Sequence, residues 1–248
     1  MLIDTHCHIH ESDYPLDITQ TLQRAHDNSV NQLICVGTSV DSSKQAVEFA
    51  SLHAESYASI GVHPHDSQYG YTGIESLIGS SKIVAVGEIG LDYFYTHSPR
   101  ETQIQALEWQ INLALYNNLP IIFHVREAFE DFWSIFDNFH SIRGELHSFT
   151  DNQTNLDQAL ARGLFIGVNG ISTFTRDESQ KAVFNSVPLD GLLFETDAPF
   201  LTPVPFRGNI NEPAFVKNVA EYHASVRGIS LDQIAEATTA NARALFAL

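Results

Sequence analysis

Eight short apolar runs separated by segments of helical spacing constrain the fold of this chain more than any other feature. The apolar runs cover residues 1–8, 32–37, 57–63, 83–90, 120–125, 144–149, 164–169 and 191–197. The predicted helices cover residues 16–28, 41–53, 74–79, 99–118, 128–139, 152–162, 177–186, 211–226 and 231–246. Regular strand and helix alternation predicts a parallel sheet with covered faces, and eight units favour closure into a (β/α)₈ TIM barrel of the α/β class.

The length and composition of the chain fit one such barrel. A chain of 248 residues has the length of a typical (β/α)₈ domain, and a hydrophobic content of 44 % is enough to fill one core. No linker-like tract interrupts the pattern, so residues 1–248 are predicted to form a single domain. The first run is not followed by a Gly-x-Gly-x-x-Gly motif, which removes the main argument for a dinucleotide-binding sheet.

Charge and cysteine content narrow the classes of function. The net charge of −17 argues against a partner held mainly by phosphate contacts, because duplex-binding proteins usually present a basic face. It leaves a polyanionic substrate open, since divalent ions reverse the local charge. Cys7 and Cys35 are too few for a disulfide framework and are predicted to be reduced and buried. No run approaches the ~20 residues of a membrane span and no leader is visible, so we expect a soluble cytoplasmic protein without a membrane or stable protein partner.

Histidines and carboxylates stand late in six of the eight apolar runs, the third of which ends at His63. His6 and His8 are two residues apart, so their imidazoles point to one face of an extended strand. The carboxyl ends of barrel strands meet at one mouth, where catalytic groups lie. The candidate metal ligands expected to converge there are His6, His8, Glu88, His124, His147 and Asp197.

Six nitrogen and oxygen ligands without a thiolate suit one or two divalent ions such as Zn²⁺, Mn²⁺ or Mg²⁺. Two ions about 3.5–4 Å apart lower the pKa of a bound water towards ~7 and hold both oxygens of a phosphodiester displacement. Glu88 is the candidate bridging ligand. Asp197 is the candidate ligand that also orients or deprotonates the attacking water. The structural alternatives are a core histidine at position 124 and a turn or helix cap at Asp197.

Four further residues are candidates for substrate binding. His63 and His65 flank a proline after the third run and are predicted to contact substrate or support the ligands, the alternative being plain turn residues. Arg126 and Arg207 are predicted to hold a phosphate in bidentate fashion. The alternative for each arginine is an ion pair with a nearby acid, such as Glu127 beside Arg126.

Taken together, motifs along nearly the whole chain resemble those of the TatD family of metal-dependent deoxyribonucleases, relatives of the amidohydrolase and phosphotriesterase barrels. They are His6-x-His8, 61–65 (Gly-Val-His-Pro-His), 87–92 (Gly-Glu-Ile-Gly-Leu-Asp), 120–126, His147-x-Phe149, 195–203, 211–213 (Asn-Glu-Pro) and Asn241-Ala242. The resemblance implies a TIM barrel and a divalent-metal phosphodiesterase acting on DNA, a 3′–5′ exonuclease that prefers single strands. It further implies that His6, His8 and Asp197 hold one ion, that Glu88 bridges, and that His124 and His147 hold the other.

The sequence departs from the family pattern at two places. Ser148 stands where cysteine is more usual, and no basic residue precedes the Asn-Glu-Pro motif at 211–213. The second change removes positive charge from a loop that can face substrate. Phosphotriesterase relatives bridge their metals with a carboxylated lysine, and the presence of Glu88 at this place favours the TatD branch.

Two other functions remain open at this point. A fold and its metal ions do not fix the leaving group, so the chain is alternatively a hydrolase of a carboxylic ester, lactone or amide. The other possibility is a non-catalytic protein in which the metal supports stability alone.

Overall fold

The computed structural model describes all residues from Met1 to Leu248. Its strands are β1 (Leu2–Cys7), β2 (Val30–Val36), β3 (Ser56–Ile60), β4 (Ile83–Asp92), β5 (Ile121–Arg126), β6 (Gly144–Leu146), β7 (Phe165–Val168) and β8 (Leu192–Phe194). They form one eight-stranded sheet in sequential order. The strands are parallel and alternate with helices, so the predicted (β/α)₈ TIM barrel is confirmed.

The helices are α1 (Ile18–Asp27), α2 (Val40–Leu52), α3 (Arg100–Tyr116), α4 (Phe129–Phe136), α5 (Gln153–Ala161), α6 (Ile171–Phe174), α7 (Glu178–Ser186), α8 (Val216–Arg227) and α9 (Leu231–Phe246). Short 3-10 helices cover Pro64–Tyr69, Ile74–Leu77, Leu189–Gly191 and Pro213–Phe215. None of these helices has both the length and the hydropathy that crossing a bilayer requires.

The connection between β3 and β4 differs from the sequence-based prediction. The helix expected over 74–79 is only a four-residue 3-10 helix, Ile74–Leu77. Gly70, Gly73 and Gly79 all adopt positive φ angles there, and each such residue interrupts an α-helical path. The fourth strand is also longer than expected. Glu88 therefore lies inside β4, which continues to Asp92.

The chain divides into two compact units, residues 1–34 with 148–248 and residues 35–147. In the first unit, backbone hydrogen bonds join the end of β1 to the segment after β8. The amide of His8 donates to the carbonyl of Ala198 at 2.7 Å, and the amide of Asp197 donates to the carbonyl of His6 at 2.8 Å. These bonds close the strand order and bring the His6-x-His8 pair to the same edge as Asp197.

In the second unit, β4 and β5 approach closely at Gly90. A Cβ atom built at Gly90 would lie 1.7 Å from the carbonyl oxygen of His124, so only glycine allows this spacing. On the other side of β5, the Phe123 ring packs edge to face on Phe132 of α4, with ring centroids 5.1 Å apart. The strand that carries His124 is thus held between a neighbouring backbone and an aromatic core.

One buried histidine of the first unit serves packing. His223 of α8 is fully buried, with Nε2 2.9 Å from the hydroxyl of Ser172 and its ring against Phe194. Burial lowers the pKa of His223 from 6.5 to about 3. The unfolded chain therefore binds a proton below pH 6.5 that the folded chain does not bind.

We expect His223→Gln to reduce the acid sensitivity of folding. Because the pKa of His223 is depressed in the folded chain, its neutral ring does not lower the free energy of unfolding above pH 6.5. The free energy of unfolding then decreases as the pH falls from 6.5 towards 3. Between pH 7 and pH 5, urea unfolding in a chelating buffer should show a fall in unfolding free energy that is about 2 kcal/mol smaller in the variant than in the wild type. His26→Gln is the control, since the His26 side chain is 76 % exposed. An equal fall in wild type and His223→Gln would contradict the assignment.

Candidate metal centre

Three ligand-type side chains of the first unit converge where β1 and β8 end. Nε2 of His6 lies 3.1 Å from Nε2 of His8. Oδ1 of Asp197 lies 3.3 Å from Nε2 of His8 and 3.8 Å from Nε2 of His6. Ligands bound tetrahedrally at about 2.0–2.1 Å from a zinc ion are about 3.4 Å from one another. The spacing of this first cluster (His6, His8 and Asp197) therefore suits one shared cation.

The backbone around Asp197 is fixed by buried polar side chains. Asp197 adopts a left-handed φ of 57°, which a non-glycine residue keeps only when its surroundings hold it. Oδ1 and Oδ2 of Asp4 accept hydrogen bonds from the amide and hydroxyl of Thr196, at 2.8 and 2.6 Å. Nδ2 of Asn211 donates to the Thr196 carbonyl at 2.8 Å. The residue before Asp197 is thus held from two sides.

Burial and hydrogen bonding act in opposite directions on Asp4. Burial raises the pKa of its carboxyl group to about 8, although the hydrogen bonds from Thr196 favour the ionised form.

The Asn-Glu-Pro motif at 211–213 is also held in place by a buried carboxylate. The buried Glu212 carboxylate accepts from Nε of Arg24, at 2.8 Å to each oxygen, and so fixes the segment that carries Asn211.

In the second unit, one oxygen of Glu88 faces three imidazoles. Oε1 lies 2.8 Å from Nδ1 of His124, 3.6 Å from Nε2 of His63 and 3.8 Å from Nε2 of His147. The Glu88 side chain is 5 % exposed. A buried carboxylate among imidazole nitrogens is a donor set that divalent ions accept. We call Glu88, His63, His124 and His147 the second cluster.

Asp92 supports this second cluster from the end of β4. Its Oδ2 accepts hydrogen bonds from Nε2 of His124 and Nε2 of His65, both at 3.0 Å. Its Oδ1 accepts from the amides of Phe94 and Tyr95, both at 3.0 Å. Burial alone would raise the pKa of Asp92, but these hydrogen bonds outweigh it and hold the pKa well below its ordinary value. Asp92 is therefore an ionised acceptor.

The contact with Asp92 sets the protonation of His124. Because Nε2 donates to Asp92, the Nδ1 lone pair of the neutral ring faces the Glu88 carboxylate at 2.8 Å. Two acceptors at this distance require a proton or a cation between them. Burial lowers the pKa of His124, but its bonds to Asp92 and Glu88 outweigh burial and raise that pKa above 6.5. A histidine that donates its second nitrogen to a carboxylate is the usual arrangement of a metal ligand.

His63 is close enough to Glu88 and His124 to share a cation with them, but its hydrogen bonding favours another role. Its Nδ1 accepts the amide of His65 at 3.2 Å. Burial, the largest influence, holds the pKa of His63 well below 6.5, so the ring is neutral and its proton sits on Nε2. That nitrogen is consequently a donor pointing at the Glu88 side chain. This favours the sequence-based prediction that His63 supports the ligands or contacts substrate.

The two arginines do not join either cluster through an ion pair. The guanidinium carbon of Arg126 lies 3.9 Å from the ring centroid of Phe94, and the expected alternative partner Glu127 is not bound. The guanidinium of Arg207 lies 3.8 Å from the ring centroid of Phe174, and its Nη1 donates to the Thr202 carbonyl at 2.8 Å. Both side chains are exposed. Their phosphate-binding role stays a prediction.

The chain matches one known protein family over nearly its whole length. The sequence profile of the family described as TatD related DNase matches residues 3–247. The chain belongs to the TatD family.

Individual relatives cover the whole chain as well. It is 37 % identical to the uncharacterized metal-dependent hydrolase YabD of Bacillus subtilis, with 99 % of each chain aligned. It is 34 % identical to the 3′-5′ ssDNA/RNA exonuclease TatD of Erwinia amylovora over 100 % of both chains. The crystal structure of the TatD homolog YjjV from Escherichia coli K12 superposes with a TM-score of 0.92 at 29 % identity, over 100 % and 98 % of the two chains. The TatD assignment and the class of metal-dependent hydrolase are confirmed, with a buried His, Glu and Asp cluster able to hold metal.

Sequence reasoning on this TatD-family chain missed three residues that fix the clusters. Asp92 lies four residues after Glu88, and Asp4 lies two residues before His6, so each shares a strand face with a candidate ligand. That spacing was the available signal. Asn211 stood in a family motif, but its bond to the Thr196 carbonyl has no local signature.

We expect Asp92→Asn to weaken divalent-ion binding about 10–100-fold, the usual effect of losing the partner that orients a metal-bound histidine. The amide side chain keeps an oxygen for the backbone donors but loses the charge that faces His124. Titration of chelator-treated protein with Mn²⁺ or Zn²⁺ measures the affinity. Asp131→Asn is the matched control. Asp131 lies on α4 and accepts a hydrogen bond only from the hydroxyl of Tyr93, the residue after Asp92, at 2.7 Å. Equal affinity in Asp92→Asn and the control would refute the assigned role.

Proposed function

We propose that this TatD-family protein is a deoxyribonuclease that uses two divalent ions to remove nucleotides from the 3′ end of single-stranded DNA. The observation that carries the proposal is that imidazoles and a carboxylate lie close enough to share a cation in each of the two units. The Erwinia relative named as a 3′-5′ ssDNA/RNA exonuclease supports both the polymer and the direction of cleavage.

In this proposal, His6, His8 and Asp197 hold the first ion, His124 and His147 hold the second, and Glu88 is shared. The donor set contains only nitrogen and oxygen, which suits Mg²⁺, Mn²⁺ or Zn²⁺. When bound, the ions supply charge that neutralises the phosphodiester oxygens and lowers the pKa of the attacking water towards ~7. A site of this kind offsets the repulsion between the acidic chain and the phosphates.

The protein residues orient the reactants and move the proton. Asp197 accepts the proton of the attacking water, a task that a positioned carboxylate performs in general base catalysis. Its fixed left-handed backbone keeps the carboxylate aimed in one direction. His63 directs its single N–H group at the Glu88 carboxylate, because burial keeps its ring uncharged and Nδ1 accepts the His65 amide.

Three outer residues are proposed to bind the substrate strand. His65 is held by Asp92 and is only partly buried, with 27 % of its side chain exposed. The guanidinium groups of Arg126 and Arg207 each lie over an aromatic ring, which restrains them for contact with a phosphate. Single-stranded nucleic acid is the only partner we propose. A single-domain chain, a cytoplasmic location and the absence of a stable protein partner stay predictions.

We expect the purified protein to shorten a 5′-labelled single-stranded oligonucleotide from its 3′ end in Mg²⁺ or Mn²⁺. A chelator should abolish the reaction, and added metal should restore it. Glu88→Gln and Asp197→Asn should each lower kcat by at least about 10²-fold, because each removes a charge that acts on the metal or the water. Glu108→Gln is the control, since Glu108 is exposed on α3.

The nuclease proposal fails if metal-loaded protein leaves every oligonucleotide intact. Turnover of a panel of carboxylic esters, lactones and amides under the same conditions would then identify the alternative hydrolase. Loss of thermal stability in the Glu88 and Asp197 variants, without turnover of any substrate by the wild type, would identify a purely structural metal.

A further inference from the structure

Two exposed aromatic side chains beside the second cluster have no role in the chemistry described above. Phe94 is 48 % exposed and Tyr95 is 42 % exposed, although large apolar rings are normally buried. Both lie within three residues of the end of β4. Their backbone amides donate to Oδ1 of Asp92, the carboxylate whose other oxygen holds His124. The exposed rings are thus attached to the same anchor as a candidate metal ligand.

The side chains around these rings form an ordered arrangement of flat groups. The Phe94 and Tyr95 rings meet nearly at right angles, with centroids 4.7 Å apart. The guanidinium carbon of Arg126 lies 3.9 Å from the Phe94 centroid and 5.1 Å from the Tyr95 centroid. The Tyr95 ring also contacts His65, with centroids 5.3 Å apart. We call Phe94, Tyr95 and Arg126 the aromatic platform.

Other exposed aromatic residues of the second unit lack this arrangement. Tyr69 is 82 % exposed and Tyr116 is 91 % exposed, but neither has a cationic side chain over its ring. An isolated exposed tyrosine is normal on a protein surface. The aromatic platform differs because two rings and a planar cation meet next to a histidine that Asp92 holds.

We propose that the aromatic platform stacks an unpaired nucleobase of the substrate strand beside the reacting phosphate. Bases of single-stranded nucleic acid stack on aromatic rings and on arginine planes, and this contact tolerates any base sequence. The identity of the ligand as a nucleic acid strand rests on the proposed function. The inference that a flat group stacks at this place does not rest on the proposed function, because the exposure and geometry of the rings are independent of the reaction.

The charge of the protein gives stacking a particular importance here. The chain has 13 lysines and arginines against 30 aspartates and glutamates, so counterion release from phosphates contributes little to affinity. Stacking needs no net positive charge. It also requires a base face that a duplex does not expose, so the platform selects single strands over duplexes.

The test measures stacking apart from turnover. An oligonucleotide with 2-aminopurine at its 3′ end is titrated with protein in a chelating buffer, where quenching of the 2-aminopurine fluorescence reports stacking. Wild type is compared with Phe94→Leu and Tyr95→Leu, which keep an apolar side chain but remove the ring. We expect each variant to bind about ten-fold more weakly with less quenching, the usual size of a lost base stack. Deoxy and ribo strands of the same sequence form two arms that identify the sugar.

Two further variants control for general effects. Tyr116→Leu removes an exposed ring at the end of α3 and should bind as the wild type does. Tyr95→Trp keeps a stacking ring and should retain both affinity and quenching. In a parallel hydrolysis assay with metal, Tyr95→Leu should raise KM about ten-fold on a single strand while kcat changes less.

The outcomes separate this proposal from the proposed function. Quenching by wild type but not by Tyr95→Leu, without any cleavage, supports the aromatic platform and refutes the nuclease. Cleavage by wild type with unchanged quenching and KM in both leucine variants overturns the platform and leaves the nuclease intact. Absence of quenching by the wild type also overturns the platform, whatever the hydrolysis assay shows.

Discussion

Burying carboxylates is costly unless each charge meets a cation or several hydrogen-bond donors, and the arrangement of this protein depends on that constraint. Glu88 is almost fully buried and meets imidazoles, while Asp92 meets two imidazoles and two backbone amides. His124 lies between these two acids, with Nε2 donating to Asp92 and Nδ1 facing Glu88. In each unit, the carboxylate beside the imidazoles, Asp197 or Glu88, is the physical reason that the cluster is able to hold a metal ion.

The same carboxylates also order the backbone near the clusters. Asp92 fixes the loop with the exposed rings of Phe94 and Tyr95, so catalytic support and the aromatic platform share one anchor. In the first unit, Asp4 and Asn211 hold the residue before Asp197. Supporting bonds of this kind keep reactive groups in a fixed geometry, which hydrolysis needs more than it needs additional ligands.

Much of the fold and part of the site could be predicted from sequence because they rest on local patterns. The alternation of eight apolar runs with helices predicted the barrel, and the ligand-type residues late in the first and last runs placed His6, His8 and Asp197 together. The helical stretch predicted over 74–79 is present only as a 3-10 helix, Ile74–Leu77, because Gly73 before it and Gly79 after it adopt positive φ angles. The true end of β4 was also missed, and with it the role of Asp92.

The sequence by itself determined the period-two placement of the His6-x-His8 pair and the number of strands, because backbone geometry and hydrophobic periodicity act over a few residues. Only the tertiary structure decided which nitrogen of His124 faces Glu88 and which groups fix Asp197. Those choices depend on the register of β4 against β5, which pairs Gly90 with His124, and on hydrogen bonds between residues far apart in the chain. Hydrogen-bond geometry varies over tenths of an ångström, and only the packed strands set it on that scale.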